Sequence, residues 1–187
     1  MVAANELNDD ALTRRARRPD TPFVILACIL TLIGVTAVVA NVLDMFDVHA
    51  RSSTIGMYTG VALALLGIGA WLFAAAAARG NARAFSHAAL VLLCASGAFS
   101  ACELVAVLAG RPSSHMIWLA LWTIVLAVGL RRRGRVMLEF KRRGLWDAMY
   151  GAAPPSTRLC VSATLLWSLG FLLPVSRTLA ALFQSMS

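Results

Sequence analysis

Long apolar runs separated by short polar segments are the dominant pattern along this chain of 187 residues. A bilayer hydrocarbon core about 30 Å thick needs about 20 apolar residues in helical form to cross it. Five runs approach that length, and each is apolar on nearly all sides rather than along one stripe, which is typical of membrane-spanning helices. The predicted spans are residues 23–43, 55–78, 84–109, 114–130 and 159–176.

Helices are the expected form of these spans, because backbone polar groups in lipid must be hydrogen-bonded within the segment. The predicted fold is therefore an all-α membrane protein, in which residues 23–187 form a single bundle of five transmembrane helices. Residues 1–22 are polar and are predicted to be a mobile cytoplasmic segment. The first span exceeds the apolar region of about 7–15 residues found in secretory signal peptides, so it is interpreted as an uncleaved signal anchor.

The composition strengthens this picture. Hydrophobic residues make up 59% of the chain and charged residues 14%, against about 45–50% and about 25% in soluble domains. So few charges cannot keep a protein surface hydrated, and the outer surface is expected to face lipid. Of the 17 basic residues, all but Lys141 are arginine, which together with the abundant Ala, Gly, Leu and Val favours a GC-rich bacterial genome and hence a bacterial inner membrane.

The distribution of basic residues predicts the orientation. If the N-terminus is cytoplasmic, 14 of the 17 basic residues lie on the cytoplasmic side, and Arg51, Arg111 and Arg177 lie outside. Cytoplasmic loops carry an excess of Lys and Arg in membrane proteins. The pattern thus predicts a cytoplasmic N-terminus and, with five spans, an extracytoplasmic C-terminus.

The fourth loop, residues 131–158, holds the densest group of basic residues. Apolar positions in 136–143 and again after Gly144 predict two short interfacial helices, with the aromatic side toward lipid and the arginines toward lipid phosphates. One interpretation is recognition of an anionic lipid or an acidic partner; the other, which we favour, is a topology signal with an interfacial anchor. Nothing in the loop resembles a nucleic-acid-binding module. The candidate contacts with lipid headgroups or a partner are Arg131, Arg132, Arg133, Arg135, Lys141, Arg142, Arg143 and Trp146.

Glu103 is the acid that lies well inside a predicted span, and an ionisable residue within a membrane suggests a functional site. Ser96 and Ser100 precede it by seven and three residues, which predicts a polar stripe on the third helix. The functional interpretation is a proton or cation site. The structural interpretation, which we favour, is a buried hydrogen-bonding group that fixes the bundle. The candidate partners of the Glu103 carboxyl are Asn41, His115 and Arg177.

Small residues line parts of the second and third spans, and small residues allow helices to approach closely in lipid. They predict a helix-packing face, which serves either contacts within this chain or contacts with another membrane protein. The residues of this predicted face are Gly56, Gly60, Ala64, Gly97 and Ala101.

The motifs of soluble catalysis are absent from the sequence. There is no phosphate-binding Gly-rich loop, no His-Glu-x-x-His pair and no nucleophile elbow, so no enzymatic activity, cofactor or metal site is expected. The four cysteines lie inside apolar runs without Cys-x-x-Cys spacing. The favoured hypothesis is an accessory, assembly or protective subunit that binds membrane components, either another membrane protein or a second copy. The alternative is a small transporter or channel, either as a single copy or as a homo-oligomer, with Glu103 on its proton or cation path.

Overall fold

The computed structural model describes residues 20–46, 54–110, 114–150 and 156–186, and within these ranges the chain is almost entirely helical with no strand. Five of the described helices are long and apolar enough to cross a membrane. This confirms the predicted all-α bundle and makes the chain a multi-pass membrane protein. The predicted mobile segment, residues 1–22, lies outside the described residues except for residues 20–22. The helices are α1 (Thr21–Phe46), α2 (Thr54–Ala78), α3 (Arg83–Leu108), α4 (Ser114–Arg142), α5 (Leu145–Tyr150) and α6 (Thr157–Met186).

The last helix lies between the first two helices and the next two. Helix α1 packs against α2, α2 against α6, α6 against α3, and α3 against α4. Helix α6 is therefore inserted between the hairpin α1–α2 and the hairpin α3–α4, which touch each other directly over a small area. We call the end at which α2 ends and α3 and α6 begin the basic end, because Arg79, Arg83 and Arg131 lie there.

Aromatic rings and alanines form the main core near the basic end. The ring of Phe23 in α1 lies 5.5 Å from that of Phe73 in α2 and 5.0 Å from that of Phe85 in α3, centroid to centroid. The Phe73 ring meets the indole of Trp167 in α6 edge-on at 5.0 Å. Rings can pack this densely because the neighbouring buried positions are mostly alanine. One aromatic cluster thus joins four of the five spans.

Glycines bring α1 and α2 into close contact. A Cβ atom at Gly34 would lie 2.5 Å from the backbone nitrogen of Ala64, and one at Gly60 would lie 2.9 Å from the side chain of Val38. Van der Waals contact over such short distances is the main attraction between helices in lipid. Gly60 and Ala64 of the predicted packing face thus lie against α1. Gly56 lies in the first turn of α2, and its contacts are outside what the structure describes.

Helix α4 is longer than its predicted span. It continues without a break from Ser114 to Arg142, so the first predicted interfacial helix, residues 136–143, is wrong as a separate element. The reason is that the buried face of α4 extends beyond the apolar run through Gly134, Met137 and Phe140. A separate short helix, α5, follows Gly144, whose φ of 72° ends α4. Helix α6 likewise continues past residue 176 to Met186.

Candidate functional site

Glu103 lies near the end of α3, and its side chain is buried, with 5% of its surface exposed. Ser96 lies seven residues earlier on the same face and is also buried. The Ser96 hydroxyl donates a hydrogen bond to the backbone carbonyl of Ala120 in α4 at 3.1 Å. This face of α3 therefore lies against α4. Ser100, the third residue of the predicted polar stripe, is exposed instead.

Arg177 does not lie beside Glu103. Its guanidinium carbon lies 5.7 Å from the centroid of the Tyr58 ring in α2, which is the geometry of a cation–π contact. Val175, two residues earlier in α6, packs instead with Phe99 of α3. Two residues turn an α-helix by more than half a revolution, so Arg177 is directed away from α3.

The other two predicted partners of Glu103 lie at the ends of neighbouring helices. His115 is exposed at the start of α4. Asn41 lies in α1, but its side chain is outside what the structure describes. Among the side chains that the structure describes, Ser96 and Glu103 of the predicted polar site are both buried on one face of α3, and Ser96 bonds to α4.

The cluster that joins α3 to α4 beside Ser96 is mainly apolar. Ala95, Phe99 and Cys102 of α3 cluster with Ala120 of α4, and the Thr123 hydroxyl is hydrogen-bonded to the Leu119 and Ala120 carbonyls of its own helix.

The basic residues of the fourth loop are mostly on the surface, as a headgroup contact requires. Arg131, Arg132, Arg135, Arg142 and Arg143 are exposed, and Arg133 is partly buried. Two of the predicted contacts have partners within the protein. The Lys141 ammonium donates to the Gly80 carbonyl at 3.4 Å, and Arg143 pairs with Glu139 one turn away at 3.0 Å.

Trp146 does not face lipid, and this corrects the prediction made for it. Its side chain is 2% exposed and packs over Gly80, where the absence of a side chain leaves room for the indole. It also meets the ring of Phe140 nearly at right angles, with centroids 6.3 Å apart. Burial of the indole against α4 and the α2–α3 turn removes more apolar surface than a position on the bilayer surface would.

Asn81 is a structural residue at the basic end that the sequence patterns do not single out. Its amide nitrogen donates to the Ser156 carbonyl at 3.4 Å and to the Cys160 sulfur at 3.2 Å. Its amide oxygen accepts the Arg83 backbone N–H at 3.1 Å. The α2–α3 turn is thereby tied to the start of α6. The Gly80-Asn81 dipeptide, a turn signal, is the sequence feature that could have revealed it.

One face of α3 has no neighbour among the described residues. A Cβ atom at Gly97 would meet nothing within 4 Å, and Ala101 is exposed. Both small residues belong to a row that we call the α3 row, whose spacing alternates between four and three residues. Beside it, a groove of about 320 Å³ runs between α3 and α6. The α3 row consists of Leu90, Cys94, Gly97, Ala101 and Leu104.

The fold and these sites define a class, the multi-pass α-helical membrane proteins, but no narrower group. Comparisons with family models, curated proteins and solved structures find no match. Among the described residues, no group of three or more His, Cys, Asp or Glu side chains is placed to hold a metal ion. The function must therefore be argued from the surfaces of this protein.

Proposed function

We propose that this protein is a non-enzymatic accessory, assembly or protective subunit of a bacterial inner membrane, and that it binds a transmembrane helix of another membrane protein along the α3 row. The observation that carries the proposal is the open space around Gly97 in the middle of an exposed apolar face. The proposed orientation has the basic end in the cytoplasm, in accordance with the excess of basic residues there.

The other glycines of the bundle show why this space matters. A glycine inside a helix costs about 1 kcal/mol relative to alanine. At Gly34, Gly60 and Gly67 close contact with a neighbouring helix offsets that cost. At Gly97 and at Gly129 in α4 no described part of the protein does so, but Gly97 lies between the small residues Cys94 and Ala101, whereas Gly129 lies between Val125 and Arg132. A second helix against the α3 row would supply the missing contact.

The spacing of the α3 row favours a helix over a lipid chain as the occupant. Positions four and three residues apart form the seam along which two helices pack with a small crossing angle. Leucines at both ends of the row flank the small residues Cys94, Gly97 and Ala101 at its centre. A partner helix could therefore approach closely at the centre while the leucines enclose its sides. The adjacent α3–α6 groove would receive its larger side chains.

Gly97→Leu tests this proposal. The leucine would fill the row and is expected to reduce recovery of the partner about tenfold, since small-residue contacts in lipid depend on close approach. Gly129→Leu is the matched control, because Gly129 in α4 also has nothing within 4 Å of a Cβ position. The measurement is recovery of a stoichiometric membrane partner after crosslinking and purification in mild detergent from the native host.

Site-specific crosslinking shows whether such a partner occupies the row. A photoreactive residue at Leu104 is expected to form an adduct with the partner, and one at Val125 of α4 is not, although the two positions are 61% and 60% exposed. Equal recovery with the two glycine variants would contradict the proposal. Adducts only between copies of this chain would replace the accessory role with self-association.

The transporter alternative rests on Glu103 and predicts a different result for Glu103→Gln. As a structural group in the bundle, glutamine keeps the shape and the hydrogen-bonding capacity of the acid, so we expect unchanged folding and partner binding. Glu139→Gln, at the acid paired with Arg143 on the surface, is the control. A proton or cation flux in proteoliposomes that Glu103→Gln abolishes and Glu139→Gln retains would establish transport instead.

A further inference from the structure

A basic crevice lies between the first turn of α3 and the extended part of α4, at the basic end. We call it the arginine crevice; it is lined by Arg83, Ser86, Arg131, Gly134, Arg135 and Leu138 and has a volume of about 290 Å³. At its floor the two helices nearly touch, because a Cβ atom at Gly134 would lie only 2.7 Å from the Cβ atom of Phe85. The walls are the arginine side chains and the Ser86 hydroxyl, together with Ala82 and Leu138.

The charge of the arginine crevice is unbalanced. In the ranges that the structure describes, none of the guanidinium groups of Arg83, Arg131 and Arg135 forms an ion pair. Glu139, the nearest acid along α4, is paired with Arg143 at 3.0 Å. The positive end of the α3 dipole adds to the potential, since α3 begins at Arg83. Three like charges around one crevice repel each other, and an anion bound between them would relieve that repulsion.

The depth of the crevice distinguishes a lipid from a soluble anion. Arg83 opens the apolar span of α3, and Arg131 directly follows the buried Leu130 that ends the apolar run of α4. The crevice is therefore at the boundary between hydrocarbon and headgroups. Leu93, two turns after Ser86 on the same side of α3, is exposed along the span, as is Val128, one turn before Arg131. A phosphate in the crevice would have apolar surface below it on both helices.

We propose that the arginine crevice is a binding site for an anionic phospholipid, with the lipid phosphate held by Arg83, Arg131 and Arg135 and the acyl chains lying along the exposed apolar surfaces of α3 and α4. Arginine suits this role because its planar guanidinium group donates two parallel hydrogen bonds to phosphate oxygens. Basic pockets between transmembrane helices are a recurrent form of lipid headgroup recognition. The site does not depend on the partner helix proposed for the α3 row.

The test is native mass spectrometry of the full-length protein in mild detergent with an equimolar mixture of dioleoylphosphatidylglycerol and dioleoylphosphatidylcholine. The wild type is expected to retain the anionic lipid about a hundredfold more strongly than the zwitterionic one, since three arginines act together. The triple variant Arg83→Gln, Arg131→Gln, Arg135→Gln should lose this preference, since each arginine near an anionic headgroup contributes a factor of about five. The double variant Arg79→Gln, Arg158→Gln removes two charges from exposed positions outside the crevice and should keep it, whereas the matched double variant Arg83→Gln, Arg131→Gln should not.

Three results would overturn the proposal. Equal loss in both double variants would mean that total charge, not the crevice, attracts the lipid. Equal retention in both would mean that the crevice is not involved. Protection of the wild type against thermal unfolding by inorganic phosphate or glycerophosphoglycerol, to the same extent as by phosphatidylglycerol, would show a site for soluble phosphate instead. The single variants Arg83→Gln and Arg131→Gln, each expected to show about a fivefold loss, keep the test decisive if the triple variant does not fold.

Discussion

Trp167→Ala is expected to lower the free energy of unfolding by about 3 kcal/mol, since truncation of a large buried aromatic side chain leaves a cavity that the surroundings fill only in part. Trp167 is 1% exposed. Its indole N–H donates to the Leu66 carbonyl at 2.8 Å, and its ring meets those of Phe73 and Phe171 edge-on. The Trp167 side chain thus joins α6 to α2 through the Leu66 carbonyl and through the Phe73 ring.

The position of Trp167 in α6 explains why the expected loss is large. In lipid the spans gain little from the hydrophobic effect on association, so dispersion contacts and interhelical hydrogen bonds carry most of the packing energy. A Cβ atom at Gly69 would overlap the Trp167 indole, which shows that α2 is shaped to receive it. Without the indole, α6 loses its hydrogen bond to the Leu66 carbonyl and its contact with the Phe73 ring, which weakens the contact between α6 and the α1–α2 hairpin.

Reactivity of the buried thiols with a fluorogenic maleimide during heating measures this effect. Cys102 and Cys160 are buried near opposite ends of the bundle, while Cys28 and Cys94 are exposed and would be replaced by serine. Trp122→Ala is the matched control, because Trp122 in α4 is 63% exposed and should shift the midpoint little. Equal midpoint shifts for the two variants would show that the α2–α6 contact does not hold the bundle together.

Sequence patterns suffice for the number and approximate place of the spans, because the bilayer imposes a length of about 20 apolar residues on each. They do not give the order in which the helices pack. Each span is apolar on nearly all sides, so no stripe marks the face that meets a given neighbour. The insertion of α6 between the hairpins depends on particular shapes, such as Trp167 against Gly69, which hydropathy does not register.

The same reasoning explains the uneven outcome at the candidate sites. Gly60 and Gly97 have similar small-residue surroundings in the sequence, yet the structure places Gly60 against α1 and leaves Gly97 open. The run of arginines after Leu130 predicts that the fourth span ends there. Helix α4 nevertheless continues, because Met137 and Phe140 are buried against the rest of the basic end. Charge density predicts where lipid headgroups lie, whereas the continuation of a helix depends on contacts made far away in the sequence.

Gly80→Ala is expected to destabilise the basic end by about 2–4 kcal/mol, because two costs add at this residue. Gly80 has a φ of 74°, and an L-residue in that left-handed region costs about 1 kcal/mol or more. The new Cβ atom would also overlap the Trp146 indole, with Cε2 at 2.6 Å. The indole cannot easily retreat, since it is buried against Phe140.

Gly144→Ala separates the backbone cost from the cost of the overlap with the indole. Gly144 has a similar φ of 72° but nothing within 4 Å of a Cβ position, so its substitution should show the backbone cost of about 1 kcal/mol alone.

The measurement is maleimide labelling of Cys160 relative to Cys102, in the protein in which Cys28 and Cys94 are replaced by serine. Asn81 contacts the Cys160 sulfur at 3.2 Å, so a loosened α2–α3 turn should expose Cys160 and leave Cys102 protected. If Cys160 is labelled equally in the two glycine variants, the indole is not a fixed part of the basic end. If Gly80→Ala increases the labelling of Cys160 more than Gly144→Ala does, and the added substitution Trp146→Phe reverses that increase, the buried tryptophan holds α5 against the α2–α3 turn.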